Sequence, residues 1–563
     1  MAEHDVRITG GRIVSTFTGE EFAADVLLRG AMISGVVAPG TGGETPETVD
    51  ATGLLVVPGF VDAHMHIESS FLTPTGFAEL TLARGTTTVL ADPHEIVNVA
   101  GAAAMRWMVE AGRHTGQTQL WGVPSCVPAV AGLERSGAHL TAADIDELLE
   151  LPGVIALGEV MDYRAVVSGE TRMTDILRAA RDRGVILDGH CPNLSGEELS
   201  DYLATGVDSD HTKNRTDVAL EKARLGMLLM LQEKCLIPEL IQALNELPQR
   251  PPLCLVTDDL AADHIRAEGH LDHIARVAVG AGLPPLEALR AITITPAQRL
   301  RQYDRGVVSP GKRADLVLLR GELAEFAPEV VLSGGRVVAR SGRATRATTR
   351  GALPPLDTPM RVDTPTARDF RWPVSLDDGR YRFRAMRVNA RDTYTEPAEV
   401  ELPVRAGEVD WEGHTALIRV RNRYGGDGCT FAPVTGMRLS AGAICTTYAH
   451  DSHNLVTIGT TRAAMAAAAE AVIADGGGVA VVLGGDVVAR LPLPIGGVMS
   501  AAEPHLVADQ AQSIREALRS WGWVHLNPFM SVSTLTLPVS PSLKITDLSL
   551  VDVVRRAPVP STL

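Results

Sequence analysis

Aromatic residues are scarce in this chain of 563 residues, at 4% of the sequence, whereas hydrophobic residues of all kinds make up 45%. A row of stacking platforms for single-stranded nucleic acid is therefore not expected, and the cores should be aliphatic. Basic residues are in deficit too, with 52 Lys and Arg against 68 Asp and Glu, which gives a net charge of −16. That charge argues against a nucleic acid partner, because phosphate binding needs a basic surface. An isolated nucleobase carries no phosphate, so the negative net charge does not exclude it as a ligand.

Membrane and secretion features are also missing. The sequence has no run of about 18 apolar residues, so we expect neither a membrane-spanning helix nor a membrane partner. The first residues lack the basic segment and following apolar segment of a secretory signal. The six cysteines are scattered without a CxxC pair, so no disulfide framework or zinc ribbon is expected. Together these absences predict a protein of the reducing cytoplasm.

Length and patterning predict several domains. At about 150 residues per domain, the chain is long enough for three or four. Residues 1–55 and 305–345 show short strands punctuated by glycine, one of them predicted at 306–308, which predicts one small composite β-sandwich domain. Residues 56–304 alternate apolar runs with helical patterns, which predicts an α/β domain, a (β/α)8 TIM-like barrel. The predicted barrel runs are 54–57, 87–90, 154–157, 185–187 and 253–256, and the predicted helices include 141–149 and 285–291. Residues 346–380 are a predicted linker rich in Arg, Thr and Pro. Residues 381–563 are a predicted C-terminal α/β domain with helices at 460–474 and 502–521.

Residues that suit metal binding follow several of the predicted barrel strands. His64 and His66 are two apart at a strand end, so both imidazoles point to one side. Each such residue alone has a simpler explanation, as a hydrogen-bonded histidine or a carboxylate that caps a helix. Together they predict a site at the C-terminal mouth of the barrel for two divalent ions such as Mn, Fe or Zn. In chain order the candidates are His64, His66, Glu159, His190, His211 and Asp258.

Longer motifs resemble a known family. PGFVDAHMHIES at 58–69 resembles the first-strand signature of the amidohydrolase superfamily, and SPGKRADLVLL at 309–319 resembles its return into the small β-domain. Within that superfamily the chain is similar to the bacterial-type adenine deaminases over nearly its whole length. The matching segments are IESS (67–70), GTTTVLADPHEIVNV (85–99), SCVPA (125–129), MDY (161–163), LDGHCP (187–192), TDD (257–259), EGH (268–270), HDSHN (450–454) and DGGG (475–478).

The resemblance implies how the metal ligands are shared. Many members of the superfamily bridge their two ions with a carboxylated lysine on the fourth strand, whereas this chain has Glu159 there, as adenine deaminases do. The implied cofactors are two divalent ions, manganese first, with iron or zinc as alternatives. His64, His66 and Asp258 are assigned to one ion, His190 and His211 to the other, and Glu159 to both.

The implied reaction is the hydrolytic deamination of adenine to hypoxanthine and ammonia, a step of purine salvage. Two ions lower the pKa of a bridging water, and the resulting hydroxide attacks C6 of adenine. Asp258 takes the proton of the water and passes it on, finally to the leaving ammonia. Four residues are candidates for purine contact, although the two aspartates could equally orient histidine ligands or cap helices. They are Asp92, His94, Glu95 and Asp259.

Other functions fit parts of the pattern. An amidohydrolase that acts on another cyclic amide, imide or amine would share all six ligands. A non-catalytic relative would bind a metal or a purine without turnover, but no ligand is missing here. A sugar-cleaving barrel that used Glu159 and Asp258 as its two carboxylates leaves the histidines without a role, and we reject it.

The HDSHN motif of the C-terminal domain has no assigned role at this stage. His450, Asp451 and His453 suit a further metal site, a substrate lid or a buried hydrogen-bond network that packs the domain, and we favour packing. For partners, we expect adenine and water as small-molecule substrates, and a homo-oligomer, either a dimer or a tetramer.

Overall fold

The structure is a computed structural model that describes residues 4–43, 45–345, 355–358 and 360–563. The predicted linker lies partly outside the described residues, at 346–354 and 359. The chain forms two compact units. The first contains Met1–Pro93, Met108–Ser125 and Ala142–Leu353, and the second contains His94–Trp107, Cys126–Thr141 and Pro354–Leu563.

Eight parallel strands form a (β/α)8 barrel in the first unit, which confirms the predicted fold class. The first five pair side by side in one sheet and the last three in another. Asp258, after the eighth strand, donates its backbone N–H to the carbonyl of His64 on the first strand at 3.3 Å. Burial on both faces is typical of parallel strands covered by helices. In order, the strands are Phe60–Met65, Thr86–Ala91, Thr118–Val123, Val154–Val160, Ile186–Gly189, Ser209–Asp210, Leu228–Leu231 and Leu253–Leu255.

Helices alternate with these strands, and several pack on the outer side of the barrel in one aliphatic core. The predicted helices at 141–149 and 285–291 are confirmed as Ala142–Leu148 and Pro285–Ala291. The helix His94–Gly112 begins in the second unit and ends in the first. The other α-helices are Pro74–Leu82, Tyr163–Val167, Thr171–Asp182, Gly196–Ala204, Thr216–Arg224, Pro238–Asn245, Ala262–Ala267, Leu271–Gly280 and Ile294–Arg299, and short 3-10 helices lie at Ile67–Ser70, Glu233–Cys235 and Leu323–Glu325.

Two small sheets from both ends of the first unit share one aliphatic core. Leu55–Pro58, which the sequence placed among the barrel runs, pairs antiparallel with Leu316–Arg320 in the larger of these sheets. A run buried at every position looks the same in either sheet, which explains the misassignment. The predicted strand at 306–308 is absent, since these residues form a bend. The smaller sheet holds Met32–Val37, Asp25–Arg29, Val6–Thr9 and Glu47–Asp50, and the larger adds Arg343–Ala344, Arg336–Arg340, Ala327–Ser333, Arg12–Val14 and Glu21–Ala23.

The second unit is built on a nine-stranded, mainly antiparallel sheet. The helices predicted at 460–474 and 502–521 are confirmed as Arg462–Ala474 and Pro504–Trp521. The alanine-rich first helix packs on the sheet through small side chains. In sheet order the strands are Glu408–Val409, Thr395–Arg405, Gly379–Val388, Cys429–Thr435, Ala416–Arg421, Leu455–Gly459, Gly442–Thr446, Gly478–Leu483 and Asp486–Pro492. Further elements are the 3-10 helices Ala367–Phe370 and Thr534–Thr536, the helix Pro528–Ser533 and a small sheet of Leu543–Ile545, Leu550–Asp552 and Ala557–Val559.

Among the described residues, no helix combines the length and the apolar character needed to cross a bilayer.

Lys222 and Asp210 form an ion pair inside the first unit, with Nζ and Oδ2 2.8 Å apart and both side chains fully buried. Burial alone raises the pKa of Asp210, but the charge of Lys222 and its hydrogen bond outweigh this and hold that pKa at about 2. Lys222 also donates to the carbonyl of Cys191 at 2.5 Å. Cys191 follows His190 and Asp210 precedes His211, so the pair fixes the backbone beside two candidate metal ligands.

We expect Lys222→Met to lower the free energy of unfolding by about 3–5 kcal/mol, because Asp210 is left as a buried charge without its counterion. Urea denaturation followed by circular dichroism measures the change. Arg183→Met is the control, because Arg183 pairs with Asp146 at 2.7 Å on the surface, where solvent screens the interaction. An equal loss of stability in both variants would contradict the special importance of the buried pair.

Candidate metal centre

The six predicted ligands come together at the C-terminal ends of the barrel strands. His64 lies on the first strand and His66 just after it, and Glu159 lies at the end of the fourth strand. All six are buried except His190, whose side chain is 26% exposed. His190 and His211 follow directly after the fifth and sixth strands, and Asp258 lies close after the eighth.

One set of donor atoms surrounds a carboxylate oxygen of Asp258. Oδ1 of Asp258 lies 3.2 Å from Nε2 of His66 and 3.6 Å from Nε2 of His64. Nε2 of His66 also lies 3.5 Å from Oε1 of Glu159. Two imidazole nitrogens and two carboxylate oxygens therefore face a common space.

A second set surrounds the other oxygen of Glu159. Its Oε2 lies 3.2 Å from Nε2 of His211 and forms a hydrogen bond with Nδ1 of His190. The two sets are adjacent, since the rings of His64 and His211 stack with centroids 3.7 Å apart. Glu159 thus presents one oxygen to each set.

The donor atoms fit divalent cations. Within the described part of the chain, Nε2 of His64 is buried and has no hydrogen-bond partner. Ligands that bind one ion at about 2.0–2.2 Å lie roughly 3–3.6 Å from each other. This spacing matches the first set and the separation of Glu159 from His211, whereas His190 is hydrogen-bonded to Glu159. Imidazole nitrogen with carboxylate oxygen is a donor combination for Mn, Fe or Zn. The site can therefore hold a divalent metal ion.

The charges of the site also favour a bound cation. Burial alone raises the pKa of Glu159, but the charges and hydrogen bonds of His190 and His211 outweigh it and hold that pKa well below its usual range. Burial alone lowers the pKa of His64, but Asp188 above all raises it well above its ordinary value. The carboxylates thus draw positive charge into the site, which protons or metal ions can supply.

Asp188 positions His64, a role that the sequence analysis did not predict. Nδ1 of His64 donates to Oδ2 of Asp188 at 2.6 Å, which leaves Nε2 to face the donor set. Asp188 accepts a second hydrogen bond from the hydroxyl of Ser209 at 2.8 Å. Its place at a barrel strand end, two residues before a candidate ligand, was the available signal.

Asp92 and Asp259, two of the four residues proposed for purine contact, are in the first unit. Asp92 Oδ2 accepts the backbone N–H of Glu159 at 2.8 Å, and its carbonyl oxygen accepts Nδ1–H of His66 at 2.9 Å. Asp92 therefore orients two residues of the site, which was the alternative role considered for it. Asp259 is half-buried and accepts the hydroxyl of Ser69 at 2.5 Å. Purine contact by either aspartate stays a prediction.

The other two, His94 and Glu95, lie in the second unit with the HDSHN motif. Glu95 is fully buried, lies 2.6 Å from Nδ1 of His450 and forms a hydrogen bond with Nε2 of His453. Nε2 of His94 lies 3.9 Å from Oδ1 of Asp451. The structure thus joins two motifs that the sequence treated separately, and purine contact by His94 and Glu95 stays a prediction.

Comparisons with known proteins agree with this architecture. The model of the Amidohydrolase family matches residues 55–338, and the model of the Adenine deaminase C-terminal domain matches residues 392–557. Adenine deaminase 2 of Rhizobium johnstonii is 39% identical over 522 residues, which cover 92% of this chain and 87% of that protein. Adenine deaminase 2 of Shouchella clausii is 35% identical over 561 residues, which cover 98% of this chain and 97% of that protein.

Solved structures match the chain over a smaller part. The atrazine chlorohydrolase of Arthrobacter aurescens TC1, solved in complex with zinc, is 15% identical, with a TM-score of 0.46, over 60% of this chain and 96% of that one. The two family models and the full-length relatives show that the chain belongs to the adenine deaminase family of amidohydrolases.

Proposed function

We propose that the protein hydrolyses adenine to hypoxanthine and ammonia at a site that holds two divalent metal ions. One observation carries the proposal: the carboxylate of Glu159 turns Oε1 to His66 and Oε2 to His190 and His211. A carboxylate with an oxygen in each of two donor sets suits a bridge between two ions. Membership of the adenine deaminase family supports adenine as the substrate.

Both donor sets suit the same kind of ion. His64, His66 and Asp258 serve one ion, His190 and His211 serve the other, and Glu159 serves both. Manganese is our first choice, and iron or zinc suits the same nitrogen and oxygen donors. When bound, such ions lower the pKa of water, so that hydroxide is available near neutral pH.

Asp258 moves the protons of the reaction. Its carboxylate accepts a proton from the attacking water, and a bond forms between that oxygen and C6 of adenine. Asp258 passes this proton to N1 of the ring as the tetrahedral centre forms, and it then accepts the remaining proton of the new C6–OH group. Asp258 then delivers a proton to the amino nitrogen, the C6–N bond breaks, and ammonia leaves. Asp259, which Ser69 holds beside it, is our first choice for contact with the purine. Cytoplasmic location and a homo-oligomeric state stay predictions.

We expect purified protein loaded with Mn²⁺, Fe²⁺ or Zn²⁺ to form hypoxanthine from adenine, and Glu159→Gln to lower kcat/KM by about 10³-fold or more. The loss follows because one bridging charge contributes several kcal/mol of transition-state stabilisation. Hypoxanthine is measured by chromatography, with bound metal counted by mass spectrometry. Glu239→Gln, on an exposed helix, is the control. Bound ions without turnover of adenine would point instead to a cyclic amide or imide as the substrate.

We expect Asp258→Asn to lower kcat by about 10²–10⁴-fold even when metal is saturating, because the general base is lost. The backbone at this position has φ 56°, a conformation that asparagine adopts readily, so the fold should tolerate the change. Steady-state kinetics at saturating metal measures the effect. A variant that keeps its kcat would assign proton transfer to another residue.

We expect Asp188→Asn to weaken metal binding by about 10–100-fold, because the charged partner of Nδ1–H of His64 is lost. Competition with a chelator measures the affinity. Asp182→Asn is the matched control, since Asp182 is exposed at the end of the helix Thr171–Asp182. Equal affinities in the two variants would show that Asp188 does not position the ligand.

A further inference from the structure

The second unit contains a buried cluster of four metal-binding side chains that the reaction described above does not use. Two of them begin the helix His94–Gly112, and two follow the strand Gly442–Thr446. One ligand atom of each lies within 4.8 Å of all the others. The four are His94, Glu95, His450 and Asp451, and none is more than 4% exposed.

Their separations describe a compact set of donors. Oδ1 of Asp451 lies 3.4 Å from Nδ1 of His450 and 3.9 Å from Nε2 of His94. Oε1 of Glu95 lies 2.6 Å from Nδ1 of His450 and 3.6 Å from Nε2 of His94. Four ligands around one ion at about 2.0–2.2 Å lie roughly 3–3.6 Å apart. The separations of 3.4 and 3.6 Å match that spacing, whereas the 2.6 Å between Glu95 and His450 is a hydrogen-bond distance.

A network of hydrogen bonds does not explain the burial of the Asp451 carboxylate. Its side chain is 1% exposed, and within the described residues neither carboxylate oxygen accepts a hydrogen bond. A buried carboxylate without a donor or a cation is strongly unfavourable. The nearby Arg423 does not solve this, because its guanidinium donates to the carbonyl oxygens of His453 and Gly496.

His453 holds Glu95 in place without being a ligand itself. The backbone N–H of Ala449 donates to Nδ1 of His453 at 3.2 Å, so the ring proton is on Nε2. Nε2 donates that proton to Oε2 of Glu95. The other oxygen, Oε1, therefore stays turned to the cluster, where the hydroxyl of Tyr448 also donates to it at 3.2 Å. Fixing a carboxylate ligand through its second oxygen is common around protein metal sites.

We propose that His94, Glu95, His450 and Asp451 bind a further divalent cation, and that His453 positions Glu95 for it. Two imidazoles and two carboxylates suit a borderline ion such as Zn²⁺ or Mn²⁺, and its two charges balance the two carboxylates. This assignment gives His94 and Glu95 a role other than purine contact. It also accounts for HDSHN better than packing alone, since packing leaves both carboxylate oxygens of Asp451 without a hydrogen-bond donor among the described residues.

The ion joins parts of the chain that are far apart in sequence. His94 and Glu95 belong to the short segment His94–Trp107, and the other two ligands belong to the C-terminal part of the same unit. A metal that links such segments contributes its binding free energy to folding, as structural zinc does. The cation therefore serves to hold the segment His94–Trp107 within the second unit.

The number of bound ions tests the proposal directly. Full-length protein is loaded with Zn²⁺, dialysed against a weak chelator and counted by inductively coupled plasma mass spectrometry. We expect Asp451→Asn to hold one equivalent fewer than wild type. Glu134→Gln is the control, because Glu134 is a buried carboxylate of the same unit that accepts the backbone N–H of Val130 and lies outside the cluster. Equal counts in wild type and Asp451→Asn overturn the proposal.

The test does not depend on the barrel site. The difference between wild type and Asp451→Asn counts only the ion of the second unit, whereas Glu159→Gln reports on the barrel. If Asp451→Asn does not fold, anomalous diffraction from Zn²⁺-loaded wild-type crystals replaces it. A peak within bonding distance of Nε2 of His94 and Nδ1 of His450 supports the site, and no peak there overturns it.

Discussion

The requirement that buried carboxylates be neutralised governs both candidate centres of this protein. A parallel barrel brings its strand ends to one mouth, so side chains from distant parts of the sequence meet there. Glu159 is 4% exposed, and a charge buried to that extent costs several kcal/mol unless a cation compensates it. The imidazoles around it accept that role only when protonated or bound to metal. The metal-binding character of the site thus follows from burial as much as from the identity of the ligands.

The same requirement is met in three different ways within the chain. Asp210 is neutralised by the ammonium group of Lys222 at 2.8 Å. Asp188 receives Nδ1–H of His64 at 2.6 Å and the hydroxyl of Ser209. Asp258 lies among the imidazoles of the donor sets. The pair of Asp210 and Lys222 fixes the backbone, and Asp188 fixes the ring of His64. Asp258 keeps an oxygen available for chemistry. The function of each carboxylate therefore follows from the group that neutralises it.

Most of the first unit was predictable because its signals are local. The spacing of His64 and His66 and the position of Glu159 after an apolar run needed no long-range information. Thr118–Val123 and Leu228–Leu231 were not predicted as strands, although both belong to the barrel. Leu55–Pro58 was assigned to the wrong sheet, because an apolar run does not identify its pairing partner.

The partners of the site residues were not predictable in the same way. His64 and Asp188 are 124 positions apart, and Glu95 and His453 are 358 apart, so only the folded chain relates them. Asp451 differs from the other buried aspartates in its surroundings. Asp210 and Asp188 have donors that neutralise them, whereas the described residues offer no hydrogen-bond donor to Asp451, which is as deeply buried. A cation bound by Asp451, Glu95 and two imidazoles would neutralise Asp451, as the other buried carboxylates are neutralised by their partners.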